Sequence, residues 1–350
     1  MEREQLFLAR MTQQGLINPS EDLEQVFQTT IGMQAQQQRQ TEVGIALRTR
    51  KVTYTDLLAR YQSGRVVRTW AQRWTYQLLQ RDDWELIIAA RRGESLPQTY
   101  FRGERARIMS LADKLAADLH PGQVMTQEDA MSLLAHHADT NGDHHLWYVV
   151  MQILAARGLV TFNPALTGLQ TEIRVMPAPT VDTDVAMRQL MDRFVRGFGP
   201  VRLADFCKWA GIGASRARAN WQQCAAQWQP VGEPGDGLYV AASIAALPDD
   251  TLTGRALLVG GFDGTLTAYA DKGWLAVPPA KLWTANGILK PFVIIDGVIG
   301  GTWSTRWRGD KVDFAFETWR SVPRRLRTQI EAQCERVARF FNVAVGAISY

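Results

Sequence analysis

Gln34 and Gln36, separated by Ala35 in the segment Ile31-Gly32-Met33-Gln34-Ala35-Gln36, are the residues whose type and spacing bear most directly on chemistry. A carboxamide carries an acceptor oxygen and two N–H donors. Two of them, held rigidly, orient a water molecule without bringing charge to it. That suits a reaction whose leaving group is already cationic, because such a group departs without an acid. The surroundings are basic. Between residues 39 and 73 lie Arg39, Arg48, Arg50, Lys51, Arg60, Arg65, Arg68 and Arg73, against only Glu42 and Asp56, an excess of six positive charges. A solvated basic face is the ordinary reading of such a run; its position beside the glutamines favours a polyanionic partner.

The elements that must position this pair follow from local signals. Glu21-Asp22 supply first-turn acids for a helix to about Met33. A second helix covers Gln38 to Leu47, and Thr53 or Thr55 caps a third beginning at Asp56. Val66–Trp70 and Thr75–Leu79 have the β-branched and aromatic character of strands, and a helix from Asp82 to Ala90 closes the unit. Helix-helix-helix-hairpin is the order of a winged helix, in which the third helix usually enters a groove. A similar order recurs with helices over 103–119, 126–137 and Leu146–Ala156. A hairpin of 157–162 and 170–175 follows, then a linker at Met176-Pro177-Ala178-Pro179. In a third copy a helix from Val185 to Arg196 stops at Gly197-Phe198-Gly199-Pro200. A helix-turn-helix over 203–218 and short strands near Trp228 and Leu238-Tyr239-Val240 complete it. Beyond Pro248 short strands alternate with Gly and Asp-Gly turns, giving a small β-sheet or barrel, and a helix from about Pro323 to Phe340 packs on it. The expectation is an α+β chain of three winged-helix units (1–95, 98–177, 179–245) and a β-domain with a C-terminal helix (246–350).

Composition narrows the class. With 46% hydrophobic and 21% charged residues among 350, the chain is globular and long enough for two or three cores. No apolar run reaches membrane-spanning length. The acidic, polar start Met1-Glu2-Arg3-Glu4-Gln5 predicts no signal peptide. The cysteines Cys207, Cys224 and Cys334 are odd in number and widely spaced, which fits a reducing cytoplasm better than a disulfide framework or a zinc site. A net charge of +4 permits nucleic-acid binding without demanding it. The stretch His136–His145 looks metal-like but fails as a calcium loop, with His144 at position six and Val150 at position twelve. It also lacks zinc-ligand spacing. Gly260-Gly261 and Gly300-Gly301 lack the Gly-Lys-Ser/Thr of a phosphate loop. Asp263, Asp271, Asp296 and Asp310 sit at turns and are turn-formers rather than acids. No metal and no cofactor is expected.

Five segments occur in a telling order: Gly32-Met33-Gln34-Ala35-Gln36, Arg68-Thr69-Trp70-Ala71-Gln72-Arg73-Trp74-Thr75, Phe198-Gly199-Pro200 with its helix-turn-helix, Gly261-Phe262-Asp263, and Asp296-Gly297 through Gly301-Thr302-Trp303. Together the chain resembles the winged-helix DNA glycosylases of the AlkZ type, whose relatives include the AlkX (YcaQ) branch. The resemblance implies a C-shaped protein of three winged helices and a β-domain that cradles duplex DNA. It implies excision of bulky or cationic alkylated purines, with some members unhooking interstrand crosslinks. The family motif is Gln-apolar-Gln in the AlkZ branch and Gln-apolar-Asp in the other, so Gln34 and Gln36 take the catalytic role by position. The chain departs where Gln37-Gln38-Arg39 stands for Asp-Pro-Arg, and where Arg73-Trp74-Thr75-Tyr76-Gln77 stands for Arg-Gly-Thr-Leu-His.

The expected activity is that of a monofunctional glycosylase on N7- or N3-adducted purines in duplex DNA, acting as a monomer. Arg39, Arg48, Arg50, Lys51, Arg65, Arg68, Arg73, Arg216 and Arg218 are the candidate phosphate contacts, about half of them expected to touch DNA. Trp70 and Trp74 are candidates to wedge or stack at the lesion, with a place in the core as the alternative. The competing class is a non-catalytic winged-helix DNA binder, a regulator or an architectural factor. Regulators usually dimerise to match two half-sites, and no heptad or dimer helix is evident. A docking scaffold, the third class, would show no salt-dependent DNA affinity.

Overall fold

A computed structural model describes residues 2–138, 143–163, 172–243, 251–273 and 281–350. Helices Arg3–Gln13 (α1) and Leu23–Thr30 (α2) begin the chain, and the Asp22 side chain caps α2 by accepting from Glu24 N–H. The helix expected to reach Met33 stops at Thr30 because Ile31 (φ 47°) and Gly32 (φ 91°) are both left-handed. At Gly32 a Cβ would sit 2.2 Å from Leu79 Cδ2, so only glycine fits. This turn feeds Met33–Gln34 into an extended strand (β1). Helix α3 (Gln38–Leu47) follows as the sequence predicts, and α4 (Tyr54–Gln62) opens on a capping box of Thr53 and Asp56. Strands β2 (Val66–Trp70) and β3 (Tyr76–Gln80) are joined through a 3-10 turn at Gln72–Trp74, and α5 (Arg81–Ala90) follows. Helix α1 has no counterpart in the sequence reading; Glu2 makes no side-chain cap, so its start carries no signal.

The second stretch contains α6 (Arg105–Asp118), β4 (Val124–Met125), α7 (Gln127–Ala135), α8 (His144–Ala156), β5 (Val160–Phe162) and β6 (Ile173–Val175). Its hairpin does not stand alone. The strands form one six-stranded sheet in the order β1-β3-β2-β5-β6-β4, and Arg68 pairs with Phe162 at the junction. Trp70 therefore packs inward, stacked on Tyr76 at 4.3 Å and edge-on to Phe162 at 5.1 Å. The expected turns at Pro164 and Thr167-Gly168 lie outside the described residues, as do 139–142 of the histidine-rich stretch. Of the remainder of that stretch, His137 pairs with Asp118, Asp143 caps α8 and the His145 ring meets the Tyr100 carbonyl.

The third stretch contains α9 (Thr183–Phe198), α10 (Leu203–Ala210), α11 (Ala214–Ala225), β7 (Trp228–Val231) and β8 (Leu238–Ala241). Helix α9 is central, packing against α1, α2, α5 and α11. The Gly199–Pro200 peptide is cis, and the Pro200 carbonyl accepts from the buried Arg10 at 2.9 Å. The last stretch holds β9 (Ala256–Val259), α12 (Gly264–Thr267), β10 (Phe292–Ile295), β11 (Val298–Arg308), β12 (Lys311–Thr318), α13 (Arg324–Phe340) and β13 (Ala344–Ser349). It is an open sheet in the order β13-β12-β11-β10-β9. The expected strands at Val298-Ile299 and Gly301–Trp303 are one strand, and the parallel partner β13 went unseen. Helix α13 packs on β9 and α3. The chain is a mixed α+β protein with two apolar cores. One runs from Phe7 through α9 to Phe341; the other gathers Trp70 with residues 96–175.

Candidate active-site cleft

Strand β1 and the turn that follows it carry the Gln-Ala-Gln motif. Met33 pairs with Leu78 and Gln34 with Gln77, and the Ala35 amide donates to Tyr76 O at 2.7 Å, so the motif forms the edge of the sheet. Side chains alternate along an extended chain. Ala35 is buried among the apolar side chains, while Gln34 and Gln36 both open into one cleft. The backbone here is held at each step. Thr41 Oγ1 donates to Gln34 O at 2.8 Å, and Arg68 Nε donates to Ala35 O at 3.0 Å with its guanidinium 4.0 Å from the centre of the Tyr76 ring.

The Gln34 side chain is also fixed. Arg73 donates from one terminal nitrogen to Gln34 Oε1 at 2.8 Å and from the other to Trp209 O, at the end of α10, at 3.0 Å. A guanidinium only donates, so the carboxamide oxygen must face it and the amide N–H groups must face away. Burial lowers Arg73 to about 10, so it remains a cation at neutral pH. Gly211 ends α10 at φ 65°, and a Cβ there would lie 2.8 Å from Arg73 N, so the turn and the wing tip fit only without one. Gln36 is exposed, and among the described residues its carboxamide has no hydrogen-bond partner.

The cleft has a volume of about 570 Å³. Its second wall comes from the last stretch of the chain, where Phe262 and Trp283 meet at 6.2 Å and 78° beside Asn286 and Thr267. Lys208 of α10 and Lys272 complete the lining, and among the described residues no carboxylate lines it. Burial and the charges of Lys208 and Arg73 lower the Lys272 ammonium. Apart from Arg73, none of these was read as a site residue from the sequence, although Phe262 lies in the Gly261-Phe262-Asp263 segment of the family resemblance. Lys208 was visible on the helix-turn-helix, but no local signal links 262–288 to a motif at 34–36.

Of the candidate phosphate contacts, Arg73 reaches the cleft, and Arg50, Arg65 and Arg218 are exposed without an ion pair among the described residues. Lys51 is exposed and pairs with Glu21 at 2.7 Å. Arg48 is not available to DNA. At 1% exposure it forms a two-bond pair with Asp263, at 2.8 and 2.9 Å, and donates to Gln14 O at 2.7 Å. Asp263 also caps α12, so its reading as a turn-former misses its larger task as a buried counter-ion. Arg68 holds the Ala35 carbonyl from behind the motif and does not line the cleft. Arg39 pairs with Glu42 at 3.0 Å and lies against the rings of Tyr54, Trp307 and Phe341, joining α3 to the last stretch of the chain. Arg216 is tied to Glu94 and to the Arg92 carbonyl. Trp70 is fully buried and cannot wedge into DNA. Trp74 is half-buried at φ 60°, under the Arg91 guanidinium at 4.4 Å, and packs against the second core. Gln77 is buried and donates to Thr75 Oγ1 at 2.7 Å, so neither residue of the altered wing lines the cleft.

Gln34 at the end of β1 and Gln36 in the turn after it thus face one cleft, in which no carboxylate is found among the described residues, on a frame of helix-turn-helix and hairpin elements. The sequence matches the DNA glycosylase AlkZ-like family over residues 28–340, and the chain belongs to that family. It is 24% identical over 300 residues to an interstrand DNA cross-link repair glycosylase of Streptomyces sahachiroi, covering 78% of this chain and 79% of that protein. The solved structure of Streptomyces sahachiroi DNA glycosylase AlkZ has the same fold, with a TM-score of 0.80 at 20% identity over 99% of this chain and 98% of that one.

Proposed function

We propose that the chain is a monofunctional glycosylase that hydrolyses the N-glycosidic bond of N7- or N3-alkylated purines in duplex DNA. The Streptomyces relative is described as a cross-link repair glycosylase, which extends the proposal to unhooking of interstrand crosslinks. The observation that carries the reading is the Gln34–Gln36 pair, both lining one cleft, with the Gln34 amide fixed by Arg73. The proposal includes three winged-helix units at 1–95, 98–177 and 179–245, a β-domain at 246–350, and action as a cytoplasmic monomer. The three cysteines, all free, accord with a reducing compartment.

The chemistry divides between the glutamines. An alkyl group at N7 or N3 makes the purine cationic. As the C1′–N9 bond breaks, its electron pair neutralises the base, which leaves without a proton. The sugar passes through an oxocarbenium-like state and takes the oxygen of a water at C1′; the water's proton goes to solvent. Gln36, with a free carboxamide oxygen, accepts from that water. Gln34, held by Arg73, sets the second point of a rigid frame. Neither is a base, so the lability of the substrate supplies most of the rate. The test is single-turnover base release from duplexes carrying one small or one bulky N7-alkylguanine. Release above the spontaneous rate, lost in the Gln34→Ala, Gln36→Ala double variant, is expected. Release at wild-type rate in that variant removes the motif from the chemistry. Salt-sensitive binding without release by the wild type returns the chain to the class of DNA-binding proteins.

A further inference from the structure

The charge of the cleft poses a problem for a reaction that develops positive charge. Its lining holds Arg73, Lys208 and Lys272, and among the described residues no acidic side chain. Arg73 has both terminal nitrogens committed to Gln34 and Trp209. Lys208 and Lys272 have no carboxylate partner among the described residues, and Lys272 is half-buried. Two unpaired ammonium groups facing one cleft repel each other and any cationic base that enters it. Their natural complement is an anion compact enough to meet both.

We propose that Lys208 and Lys272 form a phosphate subsite within the cleft, which takes a backbone phosphodiester adjoining the nucleotide presented to Gln34 and Gln36. The inference rests on the glycosylase reading for its substrate, but its binding component stands without catalysis. The subsite has two consequences. The phosphate neutralises the lysines only when DNA is seated, so the cleft accepts a cationic base together with its own backbone. The same phosphate then lies beside the sugar as it becomes oxocarbenium-like, so the substrate contributes the negative charge that the protein wall lacks. Lys208 sits on α10, whose last turn also holds Arg73 through the Trp209 carbonyl. The phosphate-gripping helix and the Gln34 carboxamide are thereby one mechanical unit.

The test measures affinity for a duplex with one tetrahydrofuran abasic site, which cannot be excised, across 50–200 mM salt, about a fourfold range. Wild type is compared with Lys208→Gln, Lys272→Gln, the double variant, and Lys114→Gln on α6 as a control away from the cleft. Each lost contact lowers the slope of log affinity against log salt by about 0.9, so wild type loses about 12-fold more affinity than the double variant over that range. A scan of single methylphosphonates around the abasic site identifies the phosphate: one position weakens wild type but not the double variant. Single-turnover excision at saturating DNA is then slower in the double variant. Unchanged slopes in the double variant, or a methylphosphonate penalty shared by wild type and variant at every position, overturn the subsite. Absence of excision by the wild type, with the slope change intact, overturns the glycosylase reading and leaves the subsite standing.

Discussion

Replacing Arg48 by Met tests whether the most deeply placed arginine is a structural strut or a DNA contact. Its side chain is 1% exposed and that of Asp263 0%, and the two share bonds of 2.8 and 2.9 Å. Removing one partner of such a pair strands the other charge in the core, which costs about 3–5 kcal/mol. Arg48 also donates to the carbonyls of Gln14 and Gly44, so the upper part of that range applies to Arg48→Met. Asp263→Asn keeps the cap on α12 while removing the charge, and costs a similar amount. The double variant buries no net charge, so its loss falls short of the sum by up to about 3 kcal/mol. Urea titrations of the four proteins measure these differences. Folded Arg48→Met, assayed in the cold, keeps the wild-type salt slope of DNA binding. A loss under about 1 kcal/mol, or a slope lowered by about 0.9, refutes the argument. The pair also has a functional side. Arg48 ends the helix that follows the glutamine motif, and Asp263 adjoins Phe262 of the opposite wall, so the bridge sets the spacing of the cleft.

Arg73→Met frees the Gln34 carboxamide and unhooks it from α10. A hydrogen bond to a charged group is worth about 1.5–3 kcal/mol, so single-turnover excision falls about 10- to 160-fold when that order is lost at the transition state. Arg73→Lys restores part of it, and affinity for abasic duplex changes little; equal loss of affinity and rate counts against a positioning role. Glu42 supplies a pH test: burial pushes its carboxyl above the usual carboxylate range, against hydrogen bonds from Gln38, Tyr61 and Tyr54 and the Arg39 charge. The folded state then holds the proton more tightly than the unfolded state. The associated stability is complete below the unfolded value and is lost as pH rises through the folded one. Glu42→Gln therefore gains stability relative to wild type between pH 4 and pH 7, measured as the difference in urea midpoints, and a constant difference across that range refutes the assignment.

What the sequence displayed and what it hid differ by the range of the interactions concerned. Helix α3, the Thr53 cap of α4 and the β2–β3 hairpin were legible because periodicity, capping and strand propensity act within a few residues. Gln34 and Gln36 were legible as a pair by type and spacing alone; that Gln34 lies on a sheet edge and Gln36 in the turn after it depends on pairing with β3, some forty residues away, and was not. The pairing of Arg68 with Phe162, which fuses two hairpins and buries Trp70, joins segments 94 residues apart and leaves no local trace. The parallel strand β13 is hidden for the same reason: it pairs with β12 only after a 17-residue helix.

The arginines show the limit most sharply. Counted as charge, Arg39, Arg48, Arg68 and Arg216 mark a DNA-facing surface. In the fold they hold carboxylates, carbonyls and rings of the protein itself, Arg48 in the core and Arg39 and Arg216 from partly exposed positions. A planar fork of five donors suits that work, since it satisfies several acceptors at once where helices end and units meet. Lysine, a single strongly hydrated charge, gains less from such places and is left facing open clefts. Lys208 and Lys272, which no charge run announced, thus remain available in the cleft while most of the conspicuous arginines are spent on the frame. In a chain of several units joined by long-range contacts, clustering of charge along the sequence predicts how the units are fastened at least as well as it predicts the ligand. What indicates the ligand is charge left unpaired where the glutamines point.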